Sequence, residues 1–137
     1  MNRLALDSTA VLSLCVEHPH RSGLLDAFLS AEVVSASALA LTEAIAGIDR
    51  LTDSSIDRSD LEDEVRLLWD QLFVVPVDAE CLERAASLLR ERPVRVSDAI
   101  HLSAALRLGG NITWATHDPT QVPVAEALGL RLWSPSV

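Results

Sequence analysis

The segment RLALDSTAV, residues 3–11, decides how the rest of the sequence is interpreted. It begins as a short apolar run, reaches Asp7, and continues with residues suited to a helix. A carboxylate is costly to bury unless its charge is compensated. Asp7 therefore either caps the following helix or joins other carboxylates around a positive charge. The second interpretation has a structural basis, because ligands of doubly wound sheets bind beyond the carboxyl ends of the strands.

The remaining sequence repeats the alternation that starts in this segment. Short runs rich in Val, Leu and Ile alternate with longer segments whose apolar residues recur every three or four positions, which predicts a parallel sheet covered by helices. The predicted strands are 3–7, 31–35, 73–77, 112–115 and 131–133. The predicted helices are 8–16, 20–30, 37–50, 59–71, 79–91, 97–108 and 120–128. The length predicts one domain over 1–137.

The charged residues exclude several classes of protein function. The net charge is −9, and all 11 basic residues are Arg, because the chain contains no Lys. A Walker-type nucleotide site and Schiff-base chemistry both need lysine and are excluded. The acidic balance also argues against nonspecific binding to duplex nucleic acid.

Membrane and secretion signals are also missing from the sequence. No apolar run reaches the ~18 residues of a membrane span, and the N-terminal run has no small-residue cleavage site, so we expect a cytoplasmic protein. Cys15 and Cys81 lack a CxxC partner or zinc-type spacing and are interpreted as small buried hydrophobic residues.

Three further carboxylates stand at positions comparable with Asp7. Asp118 follows the apolar run ITWAT, and Asp98 opens a strongly apolar helix for which Ser97 is the expected cap. Glu43 lies within SALALTEAIAGI, where its helical neighbours are small or apolar. For each Asp taken alone, capping of the adjacent helix is a sufficient explanation. For Glu43, the alternative is that its side chain reaches solvent or pairs with Arg50.

Convergence of these four side chains has a chemical consequence. Their mutual repulsion would destabilise the site unless a divalent cation compensates it. Hard oxygen ligands without His or Cys suit Mg²⁺ or Mn²⁺. Such a site favours phosphodiester hydrolysis, in which metal ions activate water and neutralise charge on the phosphate.

With these residues in view, the sequence resembles the PIN-domain family, specifically the VapC-type ribonuclease toxins of bacterial type II toxin–antitoxin pairs. The resemblance rests on LDSTAV, the Glu after the second strand, SDAIHLSAAL, ATHDP and VAEALGLRLWSP, and it is weak over 50–75. It implies a three-layer α/β/α sandwich around a mainly parallel sheet. It also implies an acidic cluster that binds Mg²⁺ or Mn²⁺ and cleaves RNA, formed by Asp7, Glu43, Asp98 and Asp118, with Thr116 helping to position metal or water.

The resemblance further implies partners. Relatives act as dimers or larger assemblies, and a small antitoxin inserts a basic segment near the acids, so we expect a homodimer with a cognate antitoxin. His117 and the absence of Lys depart from the family pattern and leave the RNA-binding surface open. Arg92, Arg95 and Arg107 are candidates for that surface, and solvated surface positions are the alternative for each.

Several other interpretations remain. A catalytically inactive PIN-like protein would only bind RNA or an antitoxin. A receiver-like phosphoacceptor would need a Lys and paired acids, and a haloacid-dehalogenase-like phosphatase would need Asp where Thr9 stands. His18 and His20 have no further zinc ligand nearby in the sequence. His101 and His117 either assist proton transfer or have packing roles. The polar stretch 49–64 is interpreted as a solvated loop that leads into an acidic helix start, with a lid or partner-contact loop as the alternative.

Overall fold

The computed structural model describes residues 2–133 and contains a five-stranded sheet in which every pair of neighbours is parallel. The sheet order is β3-β2-β1-β4-β5, so β1 lies at the centre. The predicted parallel α/β architecture is confirmed. The strands are β1 Arg3–Leu6, β2 Val33–Ser37, β3 Phe73–Val75, β4 Ile112–Ala115 and β5 Arg131–Leu132.

Seven α-helices connect these strands within the described part of the chain. The bounds are α1 Ser8–Cys15, α2 Arg21–Ser30, α3 Ala38–Ile48, α4 Ser55–Trp69, α5 Ala79–Glu91, α6 Val96–Leu106 and α7 Val122–Ala127. A 3-10 turn, Pro119–Gln121, precedes α7. No helix among residues 2–133 combines the length and apolar character needed to cross a bilayer.

The central strand shows why the fold has three layers. Successive side chains of a strand point to opposite faces of the sheet. Leu4 and Leu6 belong to a core shared with α1, α2, α3 and α4, whereas Ala5 belongs to a second core shared with α5, α6 and α7. Helices therefore cover both faces of the sheet, as the predicted sandwich requires.

Two predictions about helix capping are wrong. Helix α4 begins at Ser55 rather than at 59, because the Ser54 side chain accepts a hydrogen bond from the Asp57 N–H and caps the helix earlier. Most of the polar stretch 49–64 is therefore helical. Ser97 does not cap α6, which starts at Val96 with no side-chain cap.

Other boundaries differ by a few residues. Strand β2 is displaced from 31–35 to Val33–Ser37, and β3 ends at Val75 because Pro76 has no N–H to donate. The last predicted helix, 120–128, divides into the 3-10 turn and α7. Gly109, Gly110 and Gly129 all have positive φ, which confirms that the chain leaves α6 and α7 through left-handed residues.

The two cysteines are both free thiols. Cys81 is buried as predicted, whereas Cys15 is only partly buried. Burial still raises the pKa of the Cys15 thiol to about 11, with a further contribution from Glu64. Cys15 is therefore protonated and a poor nucleophile at neutral pH.

Candidate active site

Three of the four predicted acids come from elements that follow the adjacent strands β2, β1 and β4, whereas Asp98 lies in α6, which follows α5. Asp7 directly follows β1, and Asp118 lies just beyond β4, its neighbour in the sheet. Glu43 lies in α3, which follows β2 without a loop. Asp98 lies in the first turn of α6, which contacts both β1 and β2.

Asp7 is both a helix cap and a member of the polar network. Its side chain is buried, and Oδ1 accepts hydrogen bonds from the Ala10 N–H (2.9 Å) and the Thr9 hydroxyl (2.6 Å). Oδ2 accepts from the Thr116 hydroxyl and from Gln121 Nε2 (3.2 Å). Four donors thus compensate one buried carboxylate, and the two interpretations of Asp7 are compatible.

Arg95 joins Asp98 to Asp118. Its Nε donates to Asp98 Oδ2 at 3.0 Å, and its Nη2 donates to Asp118 Oδ2 at 3.1 Å. Hydrogen bonds from the Thr120 side chain and backbone, together with Arg95, lower the pKa of Asp118, and Asp98 raises the pKa of Arg95. The Arg95 side chain is 71% exposed, so a solvent-accessible positive charge lies between two of the predicted ligands.

Gln121 and Thr116 connect these acids to Asp7. The Gln121 side-chain nitrogen donates both to Asp7 and to Asp98 Oδ1 (2.9 Å). The Thr116 hydroxyl donates to Asp7 and accepts from the Asp118 backbone N–H (3.0 Å). Three of the four acids are therefore linked to one another through shared hydrogen-bond partners.

Glu43 is held by a buried histidine. Its Oε1 pairs with His101 Nε2, and His101 Nδ1 lies 2.7 Å from the Ser37 hydroxyl. A neutral ring with its proton on Nε2 donates to Glu43 and accepts from Ser37, which satisfies both ring nitrogens. The His101 hydrogen bond is the main cause of the lowered pKa of Glu43. The predicted alternative, in which Glu43 pairs with Arg50, is wrong, because His101 is the partner of Glu43.

The described acids do not form a ready metal site. Among residues 2–133, no three His, Cys, Asp or Glu side chains stand together closely enough to hold a metal ion. The Arg95 guanidinium lies between Asp98 and Asp118, and the Gln121 amide lies between Asp98 and Asp7. The donor set is all oxygen, which is the ligand chemistry that Mg²⁺ and Mn²⁺ prefer. The roles of the acids as ligands stay predictions.

The other candidate arginines lie apart from the acids. Arg107 pairs with Asp78 at 2.8 Å and with Glu80 at 3.7 Å, near the start of α5. Arg92 directly follows α5 and is half-buried. Of the three arginines, only Arg95 contacts the acids through its side chain.

A histidine cluster adjoins the network and was missed from the sequence. The ring centroids of His18 and His117 are 4.6 Å apart, and His20 lies 5.5 and 5.9 Å from them. His117 thus lies beside His18 and His20, but among residues 2–133 the three rings are not grouped closely enough to hold a metal ion. His117 Nε2 contacts the Ser13 hydroxyl at 2.8 Å, and burial lowers the pKa of His117. These contacts place His117 against Ser13 and the two other histidines, and a role in proton transfer stays a prediction.

Gln121 and Ser37 are also site residues that sequence reasoning missed. Neither carries charge, and neither stands in a spacing that indicates chemistry. Only the proximity of Gln121 to Asp118 in the sequence offered a signal.

The PIN domain family model matches residues 4–126. Ribonuclease VapC46 of Mycobacterium tuberculosis (strain ATCC 25618 / H37Rv) is 29% identical over 138 residues, covering 99% of this chain and 100% of that protein.

The fold of this chain is also similar to the folds of solved structures. VapBC2 from Rickettsia felis bound to a promoter DNA fragment gives a TM-score of 0.72 at 15% identity, covering 99% of this chain and 100% of that one. A toxin–antitoxin complex from Klebsiella pneumoniae gives 0.71 at 15% identity, covering 98% of each chain. At these identities the structural similarity establishes the fold.

Replacing His101 tests the support of Glu43. We expect His101→Leu to lower the free energy of unfolding by about 1–3 kcal/mol, because it leaves the buried Ser37 hydroxyl unpaired. Asp63→Leu is the control: Asp63 is an exposed position of α4, and the change should stay within about 0.5 kcal/mol. Urea denaturation followed by circular dichroism measures both. Equal stability of the two variants would contradict the assignment.

Proposed function

The chain belongs to the PIN-domain family, and we propose that it is a Mg²⁺- or Mn²⁺-dependent endoribonuclease that acts in the cytoplasm as the toxin of a toxin–antitoxin pair. The observation that carries this proposal is the network joining Asp7, Asp98 and Asp118 at one edge of the sheet. The similarity to Ribonuclease VapC46 along nearly the whole chain supports the reaction class.

In this proposal Asp7, Glu43, Asp98 and Asp118 hold the cation, and Thr116 orients Asp7. When bound, a divalent cation supplies Lewis-acid chemistry, activating water and neutralising charge on the phosphate. The ion pairs of Arg95 support the choice of site, because a positive charge already lies beside Asp98 and Asp118. His101 keeps Glu43 ionised and fixed in direction through its hydrogen bond.

Arg95 has a second role in the same proposal. Its guanidinium is held by exposed ion pairs, which are individually weak. Were a cation to bind the two carboxylates, Arg95 would be free to turn toward solvent beside the site. There the planar guanidinium is suited to a phosphate of the RNA backbone. Arg92 and Arg107 remain candidates for contacts farther along the RNA.

The proposed antitoxin has a fitting surface. A groove between the end of α1 and the start of α4 is lined by both apolar and acidic side chains. The apolar ones include Val16, Leu51 and Leu61, and the acidic ones include Glu17, Asp57 and Asp60. A basic amphipathic segment complements both features. We expect a short basic antitoxin encoded beside this chain.

The proposed homodimer also needs an apolar contact. Ile56 and Leu67 of α4 are 73% and 61% exposed. They lie about three turns apart, on the same side of the helix. Such exposed aliphatic side chains suit an interface between two copies of the chain.

One observation favours the non-enzymatic alternative. Arg95 pairs with both Asp98 and Asp118 and so offsets part of their negative charge without a metal. A protein that only binds RNA or an antitoxin would keep this arrangement permanently. The nuclease proposal differs in requiring Arg95 to be displaced.

Cleavage of an RNA pool tests the reaction. We expect cleavage in Mg²⁺ or Mn²⁺, its loss on chelation, and a fall of at least about 100-fold in Asp98→Asn, which removes a charge needed to hold the cation. Asp63→Asn, an exposed position of α4, is the control and should cleave normally. Cleavage that survives both chelation and Asp98→Asn would exclude the mechanism, and a wild-type protein that binds RNA without cutting it would support the alternative.

Neutralising Arg95 separates metal binding from RNA binding. We expect Arg95→Gln to tighten Mn²⁺ binding about three- to tenfold, because two weak competing ion pairs are lost. The same variant should bind RNA more weakly in Ca²⁺. Calorimetry and fluorescence anisotropy measure the two affinities, and Arg107→Gln should leave the Mn²⁺ affinity unchanged. Weaker Mn²⁺ binding by Arg95→Gln would contradict competition for the carboxylates.

Charge reversal in the groove tests the antitoxin surface. We expect Asp60→Arg to weaken binding of the basic protein encoded beside this chain by about tenfold or more, since it places like charges together. Asp63 lies on the same helix but does not line the groove, so Asp63→Arg should have little effect on the affinity for the basic protein. Surface plasmon resonance at two salt concentrations measures both variants. Equal losses would show that net charge, rather than this groove, governs binding.

A further inference from the structure

Gln121 is the most completely buried neutral side chain within the acidic network. It ends the 3-10 turn that follows Asp118 and is 1% exposed. Its side-chain nitrogen donates to Asp7 Oδ2 at 3.2 Å and to Asp98 Oδ1 at 2.9 Å. Its side-chain oxygen accepts from the Trp114 indole N–H at 3.1 Å.

We propose that Gln121 is a positioning residue: it holds Asp7 and Asp98 together to receive the cation, and Trp114 fixes its orientation. This inference rests on the proposed metal-dependent function and assigns a role to residues outside the acidic set.

The direction of the amide is determined by its neighbours. An indole nitrogen only donates a hydrogen bond, and an ionised carboxylate only accepts. The Gln121 oxygen must therefore face Trp114, and its two N–H groups match the two carboxylates. A reversed amide would place its oxygen against both acids and its NH₂ group against a donor.

Trp114 has no freedom to release the amide. It is 1% exposed in β4 and packs in the second core with Leu130 and Val124. Rotation of the indole would disrupt that core and leave the buried N–H without a partner, which is costly. The hydrophobic core thus fixes the direction of Gln121.

Gln121 and Arg95 act on Asp98 in different ways. Arg95 is charged and exposed and contacts Asp98 Oδ2 most closely, whereas Gln121 is neutral and buried and contacts Oδ1. A neutral donor stabilises the carboxylates without competing as a cation. Arg95 can leave when a cation arrives, while Gln121 stays and keeps Asp98 beside Asp7.

Binding of Mn²⁺ to the RNA-free protein tests this role by calorimetry. We expect Gln121→Met, which keeps the approximate side-chain volume and removes both donors, to weaken Mn²⁺ binding about tenfold or more. Trp114→Phe, which leaves Gln121 unoriented, should weaken it less. In the Gln121→Met background, Trp114→Phe should cause no further loss, because Trp114 acts through Gln121.

Leu24→Ala provides the control for a merely structural effect. Leu24 is buried in α2 within the other core, so its truncation should lower the melting temperature and leave the Mn²⁺ affinity unchanged. A folded Gln121→Met protein with wild-type Mn²⁺ affinity would overturn the role of Gln121. Additive losses from Trp114→Phe and Gln121→Met would overturn the role of Trp114.

The outcomes distinguish this inference from the nuclease proposal. If the wild type binds Mn²⁺ but cuts no RNA, while Gln121→Met binds Mn²⁺ weakly, the positioning role stands and the nuclease fails. If the wild type cuts RNA and Gln121→Met keeps its Mn²⁺ affinity, the nuclease stands and the positioning role fails. A wild-type protein that binds no Mn²⁺ would overturn both.

Discussion

The structure depends on compensating the charge of Asp7, which stands at the end of the central strand. With β2 and β4 on either side of β1, the Asp7 side chain is 1% exposed, and its charge is costly there unless donors surround it. Two donors come from α1, one from the segment after β4 and one from the 3-10 turn. These contacts tie sequence-distant segments together and bring Asp98 and Asp118 into the same network.

The network contains a buried neutral side chain, Gln121, and an exposed charged one, Arg95, which affect the acids differently. Gln121 is buried and held by Trp114, so it keeps Asp7 and Asp98 together in any state of the site. Arg95 is exposed and pairs with Asp98 and Asp118, so it offsets part of their negative charge, and in the proposed function it gives way to a cation. In a chain with a net charge of −9 and no Lys, this one arginine has a large influence on the site.

The sequence predicted those features that depend on local pattern. The order of strands and helices followed from hydrophobic periodicity, and the positions of Asp7 and Asp118 followed from the rule for strand ends. Helix α4 begins at Ser55, earlier than predicted, because the Ser54 side chain caps it. Several neighbouring polar residues are also possible caps, so the sequence did not show which of them begins the helix. The Glu43–His101 pair, the Gln121 amide and the clustering of His117 with His18 join residues far apart in the sequence. Such pairs depend on tertiary packing, which a single sequence does not reveal.

The central claim is that these acids form one cation site once Arg95 yields. Anomalous diffraction from crystals soaked in Mn²⁺ tests it most directly. The account predicts a peak within bonding distance of Asp98, with Asp7 or Asp118 as a second ligand and the Arg95 side chain turned away. Occupied Mn²⁺ peaks elsewhere on the surface, with Arg95 still bridging Asp98 and Asp118, would contradict it.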